Sequence, residues 1–154
     1  VLMRRGRIEQ SGTPEDLFDR PTSKFSAEFM GFDNVLPCTV IDRPTSSTVT
    51  VSLNGVPMRG ISTDWNSLNK GDQVLLAVRA ERLIPSTRAG QPQPGGNLLG
   101  CVPSDSLYRG KYTDITAHLN GGTALRIRTW DQSPDRATFD AVSCRVDDCV
   151  VLRG

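Results

Sequence analysis

One histidine, four cysteines and no C-x-x-C pair leave this chain without a zinc constellation, since a zinc site needs cysteine and histidine clustered at ligand spacing. Cys38, Cys101, Cys144 and Cys149 are expected to be reduced thiols, packed as small hydrophobes in a cytosolic protein. A Cys144–Cys149 bridge is the alternative. No apolar run approaches the roughly 20 residues of a membrane-spanning helix, so direct membrane insertion is not expected. The first residues carry Arg4, Arg5, Arg7 and Glu9 in place of a signal-peptide core, which argues against export. The formal net charge is +1, too little to attract nucleic acid or acidic partners by field alone. Hydrophobic residues make up 37% of the chain, enough for a small β-rich core. The phosphate-binding pattern G-x-x-x-x-G-K-S/T is missing, and Gly95-Gly96 has no lysine after it. Nucleotide hydrolysis needs that loop and an acidic magnesium ligand. The chain is therefore not expected to hydrolyse ATP alone, and no catalytic, metal or cofactor-binding residue is assigned.

What is present begins with turn and cap signals. Val1-Leu2-Met3 and Arg7-Ile8-Glu9 flank Arg4-Arg5-Gly6, a hairpin with glycine at its turn. Thr13 suits a helix N-cap, Pro14 the first helical position, and Asp16 completes an approximate capping box. Pro21 ends that helix. A second helix is expected over residues 23–30, with Phe25 and Phe29 on one face and Gly31 as a left-handed C-cap.

After Asn34 the helical signals fade and alternating apolar segments with frequent turns indicate an all-β sandwich or barrel. In residues 48–61, Asn54-Gly55 makes a two-residue turn that pairs Leu53 with Val56 and Val51 with Met58. Residues 74–78 are nearly all apolar, a strand buried on both faces. Residues 86–96 compose an exposed loop. Strands restart at 97–102, and Tyr108-Arg109-Gly110 follows. In the next hairpin a three-residue loop, 120–122, pairs Ala117 with Leu125, Ile115 with Ile127 and Asp114 with Arg128, and needs a left-handed glycine. Residues 131–137 read as another loop. Residues 139–146, the Asp147-Asp148 turn and residues 149–152 suggest a closing hairpin.

The remaining polar features have ordinary readings. Asp147-Asp148 is a solvated turn, and His118 a surface histidine on a polar strand face without a nucleophile beside it. Arg126, Arg128 and Trp130 share a strand face that could stack nucleotide bases. The small net charge and Asp114 opposite Arg128 argue against nucleic acid as a partner. Trp65 and Trp130 are expected to be packing residues.

Two ordered sets of residues resemble one family. The run Gly6-Arg7-Ile8-Glu9-Gln10-Ser11-Gly12-Thr13-Pro14, then Pro21, Phe29-Met30-Gly31 and Asn34 is similar to the segment joining the nucleotide-binding domain of a bacterial ABC-importer ATPase to its C-terminal regulatory domain. From about Leu36 onward, Val78-Arg79-x-Glu81, Asn97-Leu98-Leu99-Gly100-x-Val102, Tyr108-x-Gly110 and the strand pair around Gly121-Gly122 resemble a TOBE domain. Ala80 stands where the family usually has proline. The resemblance implies a mainly β fold: an OB-type, TOBE-like β-barrel over 35–154, preceded by a hairpin and two short helices over 1–34 from the end of the ATPase domain. It marks Gly12, Thr13, Pro14, Gly31, Asn34, Arg79, Glu81, Asn97, Gly100 and Gly110 as structural motif residues. The nearest flavour is a polyamine, iron or related small-solute importer.

It also implies a non-catalytic regulatory and dimerisation domain that biases the ATPase dimer through protein contacts. ATP and magnesium would belong to the parent, which would pair with permease subunits at the inner face of the cell membrane. A homodimer is expected, in part because the edge of the first hairpin invites pairing with another chain. A small-solute or anion sensor and a stand-alone OB-fold nucleic-acid binder are the alternatives. Molybdate-binding relatives carry a serine-rich approach to the same asparagine and a lysine near the barrel end. Here Pro94-Gly95-Gly96 precedes Asn97 and no lysine follows Lys111, so oxyanion binding does not transfer residue by residue.

Overall fold

The computed structural model describes residues 1–87, 96–130 and 139–154. The expected loops over 86–96 and 131–137 lie, but for their ends at Ser86, Thr87 and Gly96, outside the described residues. Two compact units emerge, one of Val1–Val78 with Asp147–Gly154 and one of Arg79–Val146. The division thus differs from the boundary expected after residue 34.

The first unit opens with a hairpin, β1 (Leu2–Arg4) and β2 (Arg7–Gln10). Arg5 and Gly6 both take positive φ, 52° and 78°, the backbone of a two-residue turn that matches strand twist. Helix α1 (Pro14–Asp19) has the full capping box: the Asp16 amide donates to Thr13 Oγ1, and the Thr13 amide donates to the Asp16 carboxylate, each at 3.1 Å. Helix α2 (Lys24–Phe29) is capped by Ser23 and ends at Met30, with Gly31 at φ 87° as expected of a left-handed cap. Phe25 and Phe29 contact each other with ring centroids 6.0 Å apart.

The chain then builds a closed five-stranded barrel from β3 (Asn34–Val40), β4 (Thr48–Leu53), β5 (Val56–Ile61), β6 (Gln73–Val78) and, from the far end of the sequence, β12 (Cys149–Arg153). Around the barrel the order is β12-β5-β4-β3-β6; β12 runs parallel to β5 and antiparallel to β6. This is an OB-type barrel. The Asn54-Gly55 turn gives the expected register, Leu53 opposite Val56 and Val51 opposite Met58. Val40, Val49, Val51, Leu53 and Leu76 are almost fully buried in it.

In the second unit, β7 (Ile84–Ser86), β8 (Gly96–Tyr108), β9 (Thr113–Leu119), β10 (Ala124–Thr129) and β11 (Ala141–Arg145) form an antiparallel sheet in the order β10-β9-β8-β11-β7. The three-residue loop is present, with Gly121 at φ 101° and Gly122 at φ 91°, and Ala117 faces Leu125, Ile115 faces Ile127 and Asp114 faces Arg128. One strand is longer than its sequence suggests. β8 continues past Pro103 because a bulge between Pro103 and Asp105 absorbs one residue and restores pairing with β9.

The two strand orders correspond. β8, β9, β10, β11 and β7 take the places that β3, β4, β5, β6 and β12 hold in the barrel. The sequences correspond too: Asn34-Val35-Leu36-Pro37-Cys38 matches Asn97-Leu98-Leu99-Gly100-Cys101, and Leu53-Asn54-Gly55 matches Leu119-Asn120-Gly121. In chain order β7 follows β6, and β12 follows β11. The fifth place in each unit is thus filled by the strand that leaves the fourth place of the other.

That connectivity corrects one expectation. Residues 139–152 do not close as a hairpin: β11 pairs with β8 and β7, whereas β12 pairs with β6 and β5. Val146–Asp148 forms a single 3-10 turn instead of a hairpin turn. Cys149, Val150, Val151 and Leu152 are all buried: alternate residues of a barrel strand face outward, and here Val150 and Leu152 are covered by packing with Ala27, Phe32 and Ala77. The strand pairs with the equally apolar Val74–Val78 stretch of β6.

Candidate functional site

The motif residues divide between the units. In the first, Gln10 is buried and clamps the bend at Pro21: its amide donates to the Arg20 carbonyl and its oxygen accepts from the Thr22 amide, both at 3.0 Å. Gly12 packs under α1, where a β-carbon would stand 3.1 Å from Asp16. Thr13 and Pro14 start that helix, and Gly31 ends the next. Asn34 is buried at the start of β3, opposite Val78. These residues fix the path from hairpin to barrel.

In the second unit Arg79 is buried, and Glu81 lies in a 3-10 turn, Ala80–Arg82. Asn97 is buried opposite Cys144, with its amide 4.0 Å from the Cys144 sulfur. Gly100 faces Ala141. Gly110 takes φ 89° in the β8–β9 turn, at the other end of β8 from Asn97. They are spread along the sheet and do not converge on one point.

All four cysteines are buried and free. Cys38 donates to the Leu36 carbonyl at 3.3 Å. Burial pushes its thiol up to about 12, against a smaller lowering by a backbone hydrogen bond at Leu76. Such a thiol is inert at neutral pH. Among the described residues no group of three or more histidine, cysteine or acidic side chains could hold a metal ion.

The most developed surface lies on β8–β9–β10; its β9–β10 part was foreseen, its β8 part was not. Register places Val102, His118 and Ala124 in one row, Asp105, Thr116 and Arg126 in the next, and Leu107, Asp114 and Arg128 in a third, all on the face opposite the buried Ile115, Ala117, Leu125 and Ile127. Asp114 accepts from Arg128 Nε at 3.0 Å and from Arg109 Nε at 3.1 Å. The Arg128 guanidinium lies 4.7 Å from the Tyr112 ring centre, and Tyr112 meets Trp130 edge-on at 5.1 Å. Trp130 touches Tyr112 but leaves 60% of itself exposed, so it is not the packing residue expected. Trp65 is half-buried.

No family model matches the chain. It is 29% identical over 152 residues to the spermidine/putrescine import ATP-binding protein PotA of Nitrosomonas eutropha, covering 99% of this chain and 40% of that protein. It is 32% identical to PotA of Methylococcus capsulatus over 82% of this chain and 31% of the relative, and 35% identical to the Fe(3+) ions import ATP-binding protein FbpC of Brucella suis over 79% and 31%. The match falls in the C-terminal part of these subunits. The homologues of this chain are thus ATP-binding subunits of importers, matched over their C-terminal part alone. It spans about a third to two-fifths of the length of those relatives. The solved structure of the cytoplasmic molybdate-binding protein ModG, with molybdate bound, superposes on this chain with a TM-score of 0.66, covering 79% of this chain and 96% of ModG at 15% identity. That likeness supports the TOBE-like OB fold; at such identity it carries no ligand.

Proposed function

We propose that this domain is the non-catalytic regulatory and dimerisation module of an importer ATP-binding subunit, at the cytoplasmic face of the membrane. The alignment of nearly the whole chain with the C-terminal part of PotA carries this reading. ATP hydrolysis would belong to the rest of such a subunit, because the sequence holds no phosphate-binding loop. The module would act by contact: an interaction made in only one state of the ATPase dimer shifts that equilibrium by its differential energy. The subunit would in turn work with membrane permease subunits. Exposed Val1, Met3 and Ile8 on the first hairpin, with Met3 opposite Ile8, form an apolar face suited to protein contact.

A second reading, a solute or anion sensor, draws on the fold shared with a molybdate-bound protein. Calorimetry of the purified chain against spermidine, a ferric chelate, molybdate and sulfate separates the two. The contact module gives no saturable heat with any of them; micromolar binding of one would replace it with the sensor.

A further inference from the structure

The outward face of β8–β9–β10 has a charge order that suits a copy of itself. Val102, Leu107 and Trp130 are each more than half exposed there. In the middle row the acid, Asp105, lies on β8 and the base, Arg126, lies on β10, with Thr116 of β9 between them. Both charged residues are exposed.

Two such faces can stack about a two-fold axis in the plane between them, since an isologous contact uses the same patch on both copies. An axis along β9 keeps each row in place and exchanges β8 with β10. Asp105 of each copy then faces Arg126 of the other, Val102 faces Ala124, and Leu107 lies over the aliphatic stem of Arg128. The two Asp114 carboxylates meet near the axis, but each is already held by Arg109 and Arg128. An axis across the strands would instead set Asp105 on Asp105 and Arg126 on Arg126, and facing like charges disfavour an interface. The charges therefore select one orientation of the two.

We propose that this face is the homodimer contact of the domain, with the strands of the two sheets aligned and Asp105 of each copy paired with Arg126 of the other. The proposal rests on the dimerisation reading above and names its surface. Aromatic and arginine side chains are the types enriched in protein interfaces, and Trp130, Arg109 and Arg128 supply them at one end of the patch.

The test is analytical ultracentrifugation of the whole chain and three variants, with circular dichroism checking that each folds. Wild type should dimerise. Asp105→Arg and Arg126→Asp should each weaken dimerisation at least tenfold, and the double exchange should restore it. Mixing the two single variants should give a heterodimer, because each then supplies the charge the other lacks. A wild type that stays monomeric up to millimolar concentration overturns the dimerisation reading and this proposal together. A dimer unaffected by the single substitutions, or not restored by the exchange, overturns this face alone.

Discussion

Asn34 and Asn97 hold the same register position in the two units: Asn34 faces Val78 across the β3–β6 ladder, and Asn97 faces Cys144 across the β8–β11 ladder. Both are buried. Asn34 is the first and Asn97 the second residue of a strand that pairs on both sides, and each is followed by the same spacing of leucine and cysteine. A buried amide near the head of that strand is thus a feature both units share.

Replacing Asn97 with alanine should destabilise the fold by about 1–3 kcal/mol, the cost of leaving buried hydrogen-bonding partners unpaired. Asn34→Ala should act in the same direction. Urea unfolding followed by circular dichroism reads both, and midpoints equal to wild type would show that these amides do not hold the strand starts.

Gly60 lies where the barrel closes. A β-carbon there would meet a Val151 methyl at 3.0 Å, the Cys149 carbonyl oxygen at 3.1 Å and a Leu76 methyl at 3.1 Å. Overpacking of this kind costs about 1–3 kcal/mol. Gly60→Ala should therefore lower the thermal midpoint, whereas Arg59→Ala, next to it on the exposed face, should change it little. Equal stability of Gly60→Ala and wild type would contradict the closeness of β5 and β12.

Cys38 gives the fold a pH dependence on the alkaline side. Burial raises its thiol from 9.0 to about 12, so the folded state favours the neutral form more than the unfolded state does. The resulting stability is complete below pH 9 and is lost as pH rises from 9 toward 12. Unfolding free energy measured between pH 8 and 11 should fall, and Cys38→Ala should flatten that fall. In the native protein at pH 8 this thiol should resist iodoacetamide; fast labelling would contradict its burial.

Much of the local structure was legible in residues 1–61 because short-range rules decide it. The capping box at Thr13, the Gly31 cap and the Asn54-Gly55 register all depend on neighbours within a few positions. The loop at 120–122 was legible for a related reason: only one loop length keeps Ile115, Ala117, Leu125 and Ile127 on a common face. Partner choice over long range was not. Residues 139–152 have the strand–turn–strand form of a hairpin, and nothing local says that β12 leaves to close a barrel begun at residue 34. The surface face was hidden by the bulge near Ser104, which puts Val102, Asp105 and Leu107 on one side although simple alternation separates them. The correspondence between the units was visible in the repeated Asn-x-Leu-x-Cys and Leu-Asn-Gly segments, a signal that a search for internal repeats would have met.

The central claim is that this domain acts on an importer ATPase through contact and not through chemistry of its own. The most direct measurement is nucleotide-dependent dimerisation of a longer ATP-binding subunit carrying this domain, followed by sedimentation with and without ATP, beside its rate of ATP hydrolysis. The account predicts that disrupting the contact face shifts the ATP concentration needed for dimerisation while hydrolysis per assembled dimer stays near wild type. Unchanged ATP dependence of dimerisation, or loss of hydrolysis within intact dimers, would contradict it.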